Sequence, residues 1–165
     1  MPTSSPANST ACGKLAILGV GEAGKSTLIA ALCQGSINLE VAGRTVAMDH
    51  GVLRRGACRC SVVGLPGQDR FAFVQDELLR GTTALVWVHP GNAEPHAPSI
   101  ERIRELALPY CIFVNFRREE ARRPFQLPPG LPSPQAIVVG DLLDPACDGL
   151  RRLEDVLWEM VESAR

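Results

Sequence analysis

The chain is expected to form an α/β domain in which a mostly parallel sheet with one antiparallel strand is covered by helices on both faces. Three observations lead there. Short apolar runs bounded by Gly and Pro alternate with segments of helical period along the chain. Several of those runs are continuously apolar rather than alternating, as strands buried on both faces must be. One early pair of strands is joined through Arg54-Arg55-Gly56, a hairpin turn that makes one neighbour antiparallel. The length of 165 residues matches about one domain.

Met1–Ala11, rich in Pro, Ser, Thr and Asn, reads as a disordered tail, with residues 12–165 forming a single domain. Lys14–Val20 is an apolar strand running into glycines. Lys25–Gln34 places Leu28, Ile29, Leu32 and Cys33 on one helical stripe, with Gly35 at the C′ position. Thr45–Leu53 and Ala57–Gly64 read as two strands, and Asp69–Arg80 as a helix with Phe71, Val74 and Leu78 inward and Gly81 as its stop. Thr83–Val88 is the next strand. Ser99–Leu108 is a helix ended by Pro109, followed by strands over Tyr110–Asn115 and Ala136–Gly140. The last helix carries Leu150, Leu153, Val156, Leu157, Met160 and Val161 on one side against Arg151, Arg152, Glu154, Asp155, Glu159 and Glu162. Arg117–Gln135, rich in Arg, Glu and Pro, reads as a loop with at most a short helix.

Composition excludes several classes. Seventeen Lys plus Arg against eighteen Asp plus Glu give a net charge of −1, which argues against a nucleic-acid or acidic-lipid binder. The longest apolar stretches fall far short of a transmembrane segment, and no signal peptide is visible. Six cysteines show no zinc-type spacing beyond the lone Cys58-Arg59-Cys60, so free thiols in a reducing cytoplasm are expected. His50, His89 and His96 are scattered and read as satisfied or solvated. Arg117, Arg118, Arg122 and Arg123, interrupted by Glu119 and Glu120, read as a solvated face.

The chemistry concentrates in Gly19-Val-Gly-Glu-Ala-Gly24-Lys25-Ser26, a complete G-x-x-x-x-G-K-[ST] phosphate loop between a strand and a helix. With Gly near ~7% of average composition, chance supplies its fixed positions on the order of once in a few hundred chains of this length. The glycines let successive N–H groups point inward, and the helix beginning near Lys25 adds its positive end. Lys25 is placed to reach β- and γ-phosphates and Ser26 to ligate Mg²⁺, with Gly19, Glu22, Ala23, Gly24 and Thr27 completing the cradle. The implied ligand is a nucleoside phosphate.

The segment Gly64-Leu-Pro-Gly-Gln-Asp-Arg-Phe71, taken with Thr45-Val-Ala-Met-Asp-His-Gly51, resembles the Ras-like small GTPases. Within them it is most similar to a bacterial branch related to the gliding-motility polarity-switch GTPases, encoded beside roadblock-type proteins. The resemblance covers Lys14 to the C-terminus. It implies a P-loop NTPase fold, a Ras-like three-layer sandwich with a six-stranded sheet, that hydrolyses GTP to GDP as a molecular switch with Mg²⁺ as cofactor. It further implies a roadblock-type regulatory protein or another effector as partner. By resemblance, Thr45 closes on Mg²⁺ and the γ-phosphate, the Gly67 N–H meets the γ-phosphate, and Gln68 orients the attacking water. Arg44 matches a built-in arginine finger, its alternative being an exposed loop arginine.

Three departures from that pattern stand out. Gly64 occupies the place of the aspartate that holds the Mg²⁺ shell, leaving Ser26 and Thr45 with Asp49 as either a helper or a plain strand-end residue. The guanine-reading Asn-Lys-x-Asp is represented by Asn115-Phe-Arg-Arg118, which keeps the Asn and loses the carboxylate that pairs with the base edge. Phe116 is then expected to stack on a base, with Asp141 beside it. The segment between the first helix and Thr45 is also short. These departures keep open a second reading, a degenerate nucleotide-binding interaction module with little turnover. A P-loop kinase or ATPase fits less well, for no strand ends in paired acids and no arginine-rich lid precedes the last helix.

Overall fold

The structure, a computed structural model, describes residues 9–33, 39–41, 44–46, 49–66, 72–117, 121–144, 146 and 148–164. Element order is β1 (Thr10–Leu18), α1 (Lys25–Leu32), β2 (Leu39–Val41), β3 (Arg44–Val46), β4 (His50–Arg55), β5 (Cys58–Gly64), α2 (Ala72–Leu79), β6 (Ala84–Pro90), α3 (Ala97–Leu106), β7 (Tyr110–Asn115), β8 (Ile137–Gly140) and α4 (Asp148–Ser163). A six-stranded sheet runs β4-β5-β1-β6-β7-β8, and β2 and β3 pair separately. Among the described residues, only the β4–β5 pairing in the large sheet is antiparallel; β1 lies parallel to β5 and β6, and β7 parallel to β6 and β8. The expected α/β architecture is the observed one.

The apolar runs are continuous because each strand feeds two cores. On β1, Leu15 and Ile17 pack with α1 and α4, whereas Ala16 and Leu18 pack with α2 and α3. Val86 and Val88 of β6 take the first side, and Leu85 and Trp87 the second. Three layers result, and every parallel strand points its carboxyl end toward the same rim of the sheet. On α4 the expected face is buried at Leu153, Leu157, Met160 and Val161 and partly buried at Leu150 and Val156, joined by Trp158, over which the Arg55 guanidinium stands 5.5 Å from the ring centroid.

Several boundaries differ from expectation for local reasons. The first strand begins at Thr10, so Thr10 and Ala11 belong to β1 rather than to a disordered tail; the Thr10 N–H bonds the Ala57 carbonyl at the hairpin tip. Thr45–Leu53 is not one strand: its start pairs with β2 and its end with β5. The hairpin turn is Gly56-Ala57, since Arg55 still pairs with Cys58; Gly56 takes φ +58°, as a two-residue turn with glycine first requires. α3 stops before Pro109, at Ala107, whose left-handed backbone (φ 49°) lets its N–H reach the Ile103 carbonyl. The Gly35 cap and the helical start at Asp69–Phe71 lie outside the described residues.

From Ala121 to Ala136 the chain is an extended strap without helix. Arg104 holds it through the Pro129 and Gly130 carbonyls, at 2.8 and 3.2 Å, and the Tyr110 hydroxyl donates to Pro132. Cys33, Cys60 and Cys111 are buried among apolar side chains, where desolvation pushes their thiols up to about 11, 12 and 12. Among the described residues no helix is long and apolar enough to cross a membrane.

Candidate functional site

At the carboxyl end of β1 the chain turns through residues 19–24 into α1, the position where open α/β sheets bind ligands. Two glycines make the turn possible. Gly19 has φ +153°, and a Cβ there would stand 2.7 Å from the Val88 carbonyl oxygen. Gly24, the N-cap of α1, has φ +104°; its Cβ would meet Asn115 Nδ2 at 2.8 Å and Leu142 Cδ1 at 2.9 Å. Among the described residues no side chain caps α1, and its first turn holds no acidic residue, so its leading N–H groups and its positive end are left for an anion.

Lys25 folds back across the loop. Its ammonium donates to the Gly19 carbonyl at 2.6 Å and to Val20 at 2.8 Å, and the residue is 7% exposed. Burial lowers its pKa to about 8, an effect the nearby Asp49 carboxylate opposes. It is a cation pre-placed among backbone dipoles with little water around it. Ser26, exposed beside it, donates its hydroxyl to Asp49 Oδ2.

Asp49 reaches the loop from the strand that faces Gly64. In the antiparallel ladder His50 pairs with Val63, so the residue before His50 stands opposite Gly64, and the Gly64 N–H donates to the Asp49 carbonyl at 2.8 Å. A Cβ on Gly64 would lie 3.5 Å from that of Asp49. A carboxylate thus stands across the ladder from Gly64 and reaches Ser26. The sequence held the signal: positions 49 and 64 are equidistant from the Gly56-Ala57 turn.

On the other side of the loop Asn115, the last residue of β7, works as a staple. Its Nδ2 donates to the Ala23 carbonyl and its Oδ1 accepts from the Leu142 N–H, both at 3.2 Å, tying the phosphate loop to the β8–α4 connection. Phe116 departs from expectation. It is 2% exposed and packed in the α2/α3-side core, on the same side as Val114 two residues earlier, while its N–H bonds the Gly140 carbonyl; it is no open platform for a base. Asp141 is buried at 5% exposure and caps the turn after β8 by accepting from Leu143 N at 2.9 Å. Glu22 and Thr27 are exposed at the loop, and Ala23 is buried beneath it. Gly67 and Gln68 lie outside the described residues; Arg44 and Thr45 are placed in β3 by backbone pairing alone.

No protein-family model matches the chain. Over 105 residues it is 32% identical to the uncharacterized protein MJ1339 of Methanocaldococcus jannaschii, an alignment covering 62% of this chain and 68% of that protein. The chain belongs to the family of MJ1339. Among solved structures, this MJ1339-family fold is similar to the G domain of the T. maritima FeoB iron transporter, with TM-score 0.67 and 18% identity over 92% of this chain and 99% of that one. It is also similar to bacterial selenocysteine-specific elongation factor EF-Sec (TM-score 0.67, 16% identity, 92% of this chain) and to elongation factor SelB from Methanococcus maripaludis (TM-score 0.63, 14% identity, 93%). The chain spans only 29% and 34% of those two factors. The fold is thus that of a G domain.

Proposed function

We propose that this protein binds GTP and GDP with Mg²⁺ at the Gly19–Thr27 loop and hydrolyses GTP slowly as a cytoplasmic switch. One observation carries the reading: a phosphate loop whose buried Lys25 ammonium rests on the loop's own carbonyls, with the Ser26 hydroxyl held by Asp49. Oxygen donors of this hardness suit Mg²⁺, and Ser26, Asp49 and Thr45 are the residues that would hold it. Bound there, the ion would neutralise charge on the β- and γ-oxygens.

The chain's own residues do the rest. Lys25 leaves the Gly19 and Val20 carbonyls for the phosphates, while the loop amides cradle them. Gln68 orients water against the γ-phosphorus; the bond to the β,γ-bridging oxygen breaks, leaving GDP and inorganic phosphate, and Arg44 offsets the charge that develops. Gly67 senses the γ-phosphate through its N–H. The FeoB G domain and the SelB complex with GPPNHP, at low identity, are consistent with guanine nucleotides as ligands. A roadblock-type partner follows from the motif resemblance to the polarity-switch branch.

Phosphate release from GTP, followed for the wild type, Gln68→Ala and Lys25→Ala with and without a candidate partner, tests this directly. Turnover absent in every wild-type condition overturns the enzymatic reading. A second reading, a nucleotide-binding interaction module, draws support from the buried Phe116 ring and from Asn115, whose amide is spent on the Ala23 and Leu142 backbone. Competition among GTP, GDP and ATP separates the two, because a switch prefers guanine and distinguishes triphosphate from diphosphate.

A further inference from the structure

Among the described residues the large sheet ends in two strands with one unpaired edge each, β4 and β8. The two edges differ in character. β4 carries Arg54 and Arg55, and edge cations discourage pairing with another strand. From Gln135 to Gly140, through β8, there is no charged side chain.

The backbone shows what β8 leaves open. The Ala136 and Gly140 carbonyls accept from the Ile112 and Phe116 N–H groups on the β7 side, at 3.0 and 2.8 Å. Successive residues of a strand turn their N–H and C=O groups to opposite edges, so Val138 and Gly140 face β7 whereas Ile137 and Val139 face outward. Two donors and two acceptors therefore stand on the free edge. The same alternation sets the Ile137 and Val139 side chains on the face of the α2/α3-side core and Val138 on the other. Ile137 packs against that core, but Val139 is 40% exposed, and Leu143 just beyond the strand is 76% exposed.

Brevity alone can protect an edge, and leaving this one to water would be the plain account. Self-complementarity argues for more. When two β8 strands lie antiparallel about a two-fold axis at Val138, Ile137 of each copy falls opposite Val139 of the other. Both pairs are of the hydrogen-bonded kind, so all the outward groups find partners, and each exposed Val139 gains an Ile137 beside it. A shift of one residue sets the inward-facing groups of Val138 against the second copy and loses both gains. β4 offers no such match. Its Asp49 carbonyl accepts from Gly64, so by alternation His50, Val52 and Arg54 face outward, and pairing about Val52 would bring Arg54, already opposite Arg59, against His50 of a second copy.

We infer that the outer edge of β8 is a docking surface for a second copy of this chain, paired antiparallel about Val138 and joining two six-stranded sheets into one. Because the strands run in opposite directions, the carboxyl rims of the two halves face opposite ways, and each phosphate loop stays open at its own rim. A strand pair is a small interface, so the dimer is of the weak, transient kind.

Sedimentation equilibrium of the full chain at concentrations up to about 1 mM tests this, together with concentration-dependent amide exchange. No nucleotide is needed, so the outcome is separate from that of the function proposed above. Val139→Pro deletes an outward donor while leaving the bonds to β7 intact, and Val139→Lys places a charge on the edge. Val52→Pro does the same to the outward donor of β4 and serves as the control. The wild type and Val52→Pro are expected to approach the mass of two chains as concentration rises, with the Ile137 and Val139 amides exchanging more slowly. Each Val139 variant is expected to associate at least about tenfold more weakly, because the change is met twice across the axis. Should Val139→Pro fail to fold, Val139→Lys carries the same expectation. A wild type that keeps the mass of one chain throughout overturns the inference, as does a dimer that survives both Val139 changes or is lost in Val52→Pro. If the wild type stays monomeric while an added valine-rich peptide slows exchange at Ile137 and Val139, the edge belongs to another protein's strand and the second copy is refuted.

Discussion

Replacing Asp49 by asparagine keeps the shape of the side chain and removes its charge at the point where Ser26 and Lys25 converge. The carboxylate accepts the Ser26 hydroxyl and opposes the burial that lowers Lys25 to about 8. Its loss is therefore expected to weaken the hold on the hydroxyl, since an amide oxygen accepts less strongly than a carboxylate, and to push the ammonium pKa down further. A carboxylate that binds a metal or orients its ligand typically accounts for 10–100-fold in metal affinity, so the Mg²⁺ concentration needed to retain bound GTP should rise by roughly that factor. The assay is the dissociation rate of a fluorescent GTP analogue across a Mg²⁺ titration. Geometry supplies a stringent companion experiment. A Cβ on Gly64 would lie 3.5 Å from the Asp49 Cβ, and its tightest contact, 3.1 Å, is with the methyl end of Ile29, which can give way. Gly64→Asp placed in an Asp49→Ala background should accordingly restore much of the Mg²⁺ dependence by returning the carboxylate to β5. An Mg²⁺ midpoint unchanged in Asp49→Asn refutes the assignment of Asp49 to the metal shell.

Three other outcomes are expected. Because Lys25 titrates near 8 in the free protein and a bound phosphate raises that value, binding takes up a proton above pH 8. Triphosphate affinity should thus fall as pH rises past 8, and in Lys25→Met it should be weak and nearly pH-independent by calorimetry. Gly24→Ala meets both a left-handed backbone and two contacts under 3 Å, so a loss of about 1–3 kcal/mol by chemical denaturation is expected together with impaired nucleotide binding. Asn115→Ala leaves the Ala23 carbonyl and the Leu142 N–H without their side-chain partner. A cost of roughly 1–3 kcal/mol is expected, with a lower melting temperature and faster nucleotide release; release at the wild-type rate would show that the staple does not hold the loop.

Much of this architecture was readable along the chain because its causes are local. Leu15–Leu18 and Ala84–Val88 are apolar at every position, and a strand like that needs cover on both faces. The phosphate loop is legible for a similar reason: Gly19 and Gly24 adopt backbone conformations that other residues resist, and Lys25 follows at a fixed covalent distance. Strand ends were less legible. Thr10 is extended because Ala57 offers a carbonyl, and the segment from Thr45 to Leu53 divides because its two ends find different partners.

Covalent neighbourhood and periodicity therefore specify the sheet, its two cores and the anion cradle, since each depends on residues a few positions apart. Tertiary pairing alone decides what surrounds the cradle. Asp49 matters because the hairpin register sets it against Gly64, Asn115 because β7 ends beside the loop, and Phe116 because it falls on the side of the sheet that faces the α2/α3 core. A side chain's chemistry is written at its own position, but whether it meets a ligand, a neighbouring backbone or other apolar atoms depends on distances that only the closed chain creates.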